Sequence, residues 1–172
     1  MKKISSFFFF LLLLNFHVKA ETSIAYVDLQ LVMNKSLPGL FIKERIKNLN
    51  VSMDKNFSSV AAKLKKKEED LLKKKNLIEK KKFEKEYIKL KSEVDDYNKR
   101  KNISGNELRK TILKLNSNFL KKIEPILLEY AESKKITFLL QKKNIILGSK
   151  EFDITNDIIL IVNKKINKND FK

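Results

Sequence analysis

Cysteine and tryptophan are absent from the 172 residues, and the one histidine, His17, falls within the first twenty positions. Without cysteine no disulfide can staple the fold, so burial or subunit packing must hold it. Beyond position 20, nucleophile pairs of the Ser-His or Cys-His kind and histidine metal sites cannot be built. Glycine occurs only at Gly39, Gly105 and Gly148, too scattered for a phosphate-cradling loop. The dense acidic clusters are Glu68-Glu69-Asp70 and Asp95-Asp96, and adjacent side chains on a helix diverge rather than converge on a substrate. They read as a solvated helix face. Glu69 and Lys73, Asp70 and Lys74, Asp95 and Lys99, and Asp96 and Arg100 each stand four apart in the favourable order for ion pairs. The reading is therefore a non-enzyme, with no catalytic residue, no metal and no cofactor.

Long hydrophobic runs are also lacking. Phe7 to Leu14 is apolar without interruption, but Asn15, His17 and Lys19 end it well short of the ~20 residues that span a bilayer. Lys2 and Lys3 precede this run, and Val18-Lys19-Ala20 puts small residues at a cleavage position. Residues 1–20 thus read as a secretory signal peptide cut between Ala20 and Glu21, leaving a mature chain that begins at Glu21. Removing it lowers 38 basic against 21 acidic residues to 35 against 21, a formal charge of +14. Arginine supplies little of this, at Arg45, Arg100 and Arg109 only.

What is present is helical periodicity. Ile24 to Asp28, IAYVD, is short and rich in strand formers. After it, Leu37-Pro38-Gly39 marks a break between a short helix and a long one. Apolar residues then recur at three and four: Ile42, Ile46, Leu49, Met53, Phe57, Val60, Leu64, with Leu71 and Ile78 following at heptad intervals. The steps from Ile46 to Phe57 total eleven residues, which predicts local unwinding of a left-handed supercoil there. A second seam runs Phe83, Tyr87, Leu90, Val94, Tyr97 and, after a polar gap, Leu108, Ile112, Leu115, Phe119, Ile123, Ile126, Tyr130. Two amphipathic seams pack on each other as an antiparallel hairpin. Its turn lies either at Asn76 to Lys82 or at Asn102 to Asn106, where Ser104-Gly105-Asn106 is the stronger local signal. The first is favoured because arms of similar length cover each other, and Gly105 then weakens the return helix. Pro125, inside the second seam, is expected to kink it.

From Ile136 to Gln141 and from Ile145 to Gly148, split by Lys142-Lys143-Asn144, the chain reads as a hairpin of two strands. Thr155 is placed to cap a last helix, with Asp157 in its first turn and Ile158, Ile161, Val162 and Ile166 on one face. The fold class is α+β. Residues 21–38 and 131–172 form a small β base of three short strands and a C-terminal helix, and 39–130 form a helical hairpin arm with its tip near 76–82. Such a base has too little core to stand alone and leaves two sheet edges, so an oligomer is expected.

The C-terminal third, IEPILLEYAESKKITFLLQKKNIILGSKEFDIT from Ile123 to Thr155, together with IAYVD, resembles the Skp family of periplasmic chaperones, also called OmpH-like. The resemblance covers nearly the whole mature chain, although the arms match only as lysine- and glutamate-rich coiled coil. It implies a homotrimer shaped like a jellyfish, whose base strands intertwine and whose three arms surround a cavity. It implies a periplasmic, ATP-independent holding chaperone for unfolded outer-membrane β-barrel proteins, supporting outer-membrane assembly. On that basis Leu71, Leu77, Phe83, Tyr87, Lys73, Lys74, Lys80 and Lys81 are the expected client contacts on the arm. Ile24, Tyr26, Val27, Phe138, Leu140 and Ile146 are the expected trimer contacts in the base.

Between Lys63 and Lys110 stand 18 lysines and arginines against 10 acids, and runs such as Lys65-Lys66-Lys67 and Lys80-Lys81-Lys82 repel one another unless something anionic is near. Anionic lipid or lipopolysaccharide surfaces are therefore further candidate partners. Two other readings compete. A basic nucleic-acid binder fits the charge, but the export signal, the scarce arginine and the lack of a recognition motif leave only nonspecific binding. A structural coiled-coil spacer of the envelope shares every feature except client binding. Exposed apolar side chains on the arms separate the spacer from the chaperone, because a spacer has no reason to keep them wet.

Overall fold

A computed structural model describes residues 23–171, so the expected signal peptide at 1–20 and its expected cleavage point between Ala20 and Glu21 lie outside the described residues. Strand β1 (Ile24–Val27) leads through Asp28 into helix α1 (Leu29–Lys35). The Asp28 carboxylate accepts from the Leu31 amide at 2.8 Å and caps that helix. Ser36 ends α1 and caps α2 (Leu37–Lys74), its hydroxyl accepting from the Gly39 amide at 3.3 Å. The break thus falls at Ser36, and Pro38 sits in the first turn of α2, where its missing amide costs nothing. Gly39 is required by contact: a Cβ there would meet the Met33 carbonyl oxygen at 2.0 Å.

Helix α2 and the return helix α3 (Lys80–Ser133) pack antiparallel, joined by Lys75–Glu79. Gly105 lies in the interior of α3, and a Cβ at that position would meet nothing within 4 Å. Pro125 also lies within α3, which continues through it. The helix ends in a Schellman turn: the Ile136 amide donates to the Ala131 carbonyl at 2.8 Å, with Lys135 left-handed at φ 54°. Gly105 and Lys135 are therefore in each other's preferred settings. Gly105→Ala and Lys135→Gly are each expected to raise stability, by about 0.5–1 kcal/mol, read as a higher urea midpoint at unchanged slope.

Strand β2 (Phe138–Gln141) pairs with β1 in parallel, in the register Ile24 with Phe138 through Val27 with Gln141. Parallel neighbours cannot be joined by a tight turn, and here the entire arm is the crossover. The expected β2 hairpin and third strand are not formed. Lys142–Asn144 makes a 3-10 turn, and among the described residues the sheet has two strands, with Ile145–Gly148 in neither. The cause is Tyr26. Its hydroxyl donates to the Ser149 carbonyl at 3.2 Å, Gly148 lies against its ring, and the Lys142 ammonium sits 5.8 Å above the ring centre. These contacts draw the chain across β1, so that Asp153 bridges Tyr26 on the far side from β2.

Helix α4 (Thr155–Lys165) then covers the inner face of the sheet, burying Ile158, Val162 and Ile166 against Ala25 and Val27, with Ile161 half-buried. Thr155 is not the cap: it is the first helical residue, and its hydroxyl accepts from the Asp28 amide at 2.9 Å, tying α4 to the end of β1. The N-cap position falls on Ile154, which offers no side-chain bond; the preceding Asp153 carboxylate instead accepts from the Thr155 amide at 3.0 Å, from the Thr155 hydroxyl, and from Lys142 at 3.0 Å. Asp157 stands in the first turn as expected and accepts from the Tyr130 hydroxyl. Burial, aided by that bond, pushes Tyr130 up to about 12.

Burial alone would raise the Asp153 carboxyl, but the bonds from Thr155 and Lys142 outweigh it and hold the group below its ordinary value of 3.8. A depressed carboxylate adds stability above its unfolded value and loses it as pH falls through the folded one. Asp153→Ala is expected to cost about 1 kcal/mol at pH 7. The gap from the parent should close as urea melts are repeated below pH ~3.9.

The core reaches beyond the base. Val32, Ile42, Phe119, Ile123, Ile158 and Val162 are fully buried in one cluster that also holds Leu115, Ile126 and Phe171. It runs along α2 to about Ile46 and along α3 back to Leu115, so the roots of both arm helices belong to it.

Candidate functional site

Past that core the arm loosens. At ~1.5 Å per residue α2 is roughly 55 Å long, yet from Leu49 to its end only Leu71 is buried. Met53, Phe57, Val60 and Leu64 are half-buried seam residues. Where the α2 spacing runs eleven residues, the facing part of α3 includes the polar gap from Asn98 to Glu107, and a groove opens between the helices. The groove between them, about 670 Å³, is lined by Leu49, Met53, Phe57, Tyr97, Ile103 and Leu108 among others. Phe57 and Tyr97 meet edge to face across it at 5.8 Å. Two irregularities that are separate in sequence thus coincide in space.

A second groove, about 410 Å³, lies nearer the tip and brings together Leu71, Phe83 and Tyr87 with Leu64, Leu72 and Leu90. Leu77 is not in it; this side chain stands in the tip turn at 80% exposure. Lys73, Lys74, Lys80 and Lys81 are exposed around the same tip. Of the four ion pairs expected along the helices, Asp96 with Arg100 forms at 3.0 Å, while Lys73 turns to Asp70 at 3.9 Å instead. Across the hairpin Lys67 pairs with Glu93, whose carboxyl is held below its ordinary value by that bond and by the Lys67 and Lys89 charges. Most of the lysines remain solvated.

Several apolar side chains on the arm lie off the seams and wet: Leu72, Ile88, Ile103, Leu113 and Leu128 are all exposed. Periodicity passes over them because they match neither stripe; the available signal was an apolar residue beside a seam position, as Leu72 beside Leu71 and Ile88 beside Tyr87.

The base has its own bare face. Register puts Ile24, Phe138 and Leu140 on one side of the sheet, all exposed, with Phe152 exposed beyond. Ile146 and Leu147, at 104% and 93% exposure, project from the loop that crosses Tyr26. Of the expected base contacts, Ile24, Phe138, Leu140 and Ile146 are therefore open, whereas Tyr26 and Val27 are buried within their own chain.

No helix among the described residues is long and apolar enough to cross a membrane. Among those residues no group of three or more histidine, cysteine or acidic side chains could hold a metal ion.

Comparison with known proteins agrees with this geometry. An OmpH-like protein of Caulobacter crescentus CB15, described as a candidate outer membrane chaperone, has the same fold: TM-score 0.78 over 86% of this chain and 87% of that one, at 17% identity. No curated protein matches the sequence. The model of the family described as outer membrane protein (OmpH-like) matches residues 23–161. The chain, on that match, belongs to the OmpH-like family.

Proposed function

We propose that this protein is an exported, ATP-independent holding chaperone of the periplasm, which keeps unfolded outer-membrane β-barrel proteins from aggregating. The observation that supports it most is the combination on one arm of exposed apolar side chains with a large excess of lysine. Leu72, Leu77, Tyr87 and Ile88 stand in solvent within a segment carrying 18 basic against 10 acidic residues between Lys63 and Lys110. Isolated exposed apolar residues give weak, adaptable contacts, and the positive field gathers anionic clients. Many such contacts hold a chain in solution and release it without a nucleotide cycle. The same lysines suit anionic lipid or lipopolysaccharide surfaces as secondary partners.

The bare face of the base fits a homotrimer in which Ile24, Phe138, Leu140 and Ile146 pack against other copies. An apolar sheet face with a free edge at β2 calls for cover, and three copies place three arms around one cavity. The mass of the 21–172 protein in solution tests this part: three chains are expected, and a monomer at micromolar concentration would contradict it.

The chaperone reading is tested by diluting a urea-unfolded outer-membrane β-barrel protein into buffer with and without this protein and following light scattering. Suppression at stoichiometric amounts, weaker at high salt, is expected. No suppression at either salt would leave a structural spacer as the better account.

A further inference from the structure

The family match ends at residue 161, and the chain continues past it. A 3-10 turn at Lys168–Phe171 returns to the root of the arm and touches both of its helices. Phe171 is 2% exposed, and its ring packs on Phe119 of α3 with centres 6.0 Å apart at 53°. Its carbonyl accepts a hydrogen bond from the Arg45 guanidinium of α2. The neighbouring Asp170 carboxylate pairs with Lys122 of α3 at 2.9 Å. The turn itself is set by Asn167, whose side-chain oxygen accepts from the Asn169 amide at 2.9 Å and whose carbonyl accepts from Asp170 at 3.1 Å.

The position of this turn along the arm is informative. Ile42, Leu115 and Phe119 are buried beside it, while the first groove opens at Leu49 and Leu108, about one to two turns further out. Phe171 therefore stands at the last fully buried layer before the groove opens between the helices.

We infer that Lys168–Phe171 is a clasp that locks the two arm helices together at their root and sets the point from which the arm bends. A ring wedged against α3, a bond to α2 and an ion pair to α3 restrain the helices relative to the base, while everything past Leu49 is left to move. Loss of the clasp shifts the flexing point inward, toward Ile42 and Phe119. If the chaperone reading holds, the clasp also limits how far the arms spread around a client; the restraint itself does not depend on that reading.

Hydrogen exchange on the full chain tests the clasp without any client. In Phe171→Ala, amides at 42–60 in α2 and 104–122 in α3 should exchange at least ~10-fold faster than in the parent, with β1, β2 and α4 within about twofold. Phe171→Leu, which keeps an apolar wedge, should recover most of the protection. Lys122→Ala, which removes only the surface pair, should give a smaller rise confined to α3. Unchanged exchange at the arm root in Phe171→Ala would overturn the inference. Equal acceleration in β1 and α4 would overturn it too, because Phe171 would then be an ordinary core residue. Client suppression measured on the same variants separates the two proposals: a mobile root with no client binding even in the parent rejects only the chaperone reading.

Discussion

Phe119→Ala is expected to cost about 3–5 kcal/mol. The side chain has no exposure, lies in the same buried cluster as Ile42 and Ile123, and carries the ring on which Phe171 rests. Truncation opens a void where the base core continues into the arm, and it strips Phe171 of its aromatic partner. Against a total stability of about 5–15 kcal/mol this is a large share. Urea melts followed by far-UV circular dichroism, at one fixed protein concentration, measure it. Phe83→Ala makes the contrast. That residue is only half-buried near the tip, so its loss should cost no more than about 1 kcal/mol. Equal costs at the two positions would mean that the packing gradient along the arm is not real in solution.

The second large effect is on function rather than stability. Replacing Leu72, Leu77, Tyr87 and Ile88 together by serine removes apolar side chains that are 58%, 80%, 54% and 62% exposed. Being already wet, they contribute little to folding, and each change should stay within about 0.5 kcal/mol. Holding should suffer far more. If a client covers about a quarter of each side chain, the four together supply roughly 2 kcal/mol, a factor of about 30 in affinity. The variant should need that much more protein to suppress aggregation, with an unchanged melt. Replacing Lys73, Lys74, Lys80 and Lys81 by glutamine should act differently, slowing capture and flattening its salt dependence. An apolar variant that holds clients as well as the parent would remove the arm side chains from the account.

The helical seams were legible because a stripe at intervals of three and four admits few other structures, and Ile42, Leu71, Leu115, Phe119 and Ile123 are all buried. Strand pairing was not. ITFLLQ, a lysine turn and IILG satisfy every local rule for a hairpin, and only the reach of Tyr26 to Ser149 and the bridge to Asp153 send the second run elsewhere. A strand's sequence carries its faces but not its partner or direction. The helix cap was misplaced by one residue: the N-cap position is Ile154, the Asp153 carboxylate takes the Thr155 amide, and the Thr155 hydroxyl accepts from the Asp28 amide instead. Phe171 had no legible role. It is a lone aromatic in a polar lysine- and asparagine-rich stretch with no period around it, and its pocket is assembled from positions 45, 119 and 122. Of the expected client contacts, Leu71, Phe83 and Tyr87 do share a groove, since they belong to facing seams; Leu72 and Ile88 lie beside those seams and carry no periodic signal.

The claim that clients rest on the arm is tested most directly by site-specific photocrosslinking in a mixture with an unfolded outer-membrane β-barrel protein. One crosslinker is placed at Ile88 on the arm and one at Leu160 on helix α4 of the base, both exposed in the chain. The account predicts a strong client adduct at Ile88, weakened by high salt, and little or none at Leu160. No adduct at Ile88, or adducts of equal yield at both positions, would contradict it.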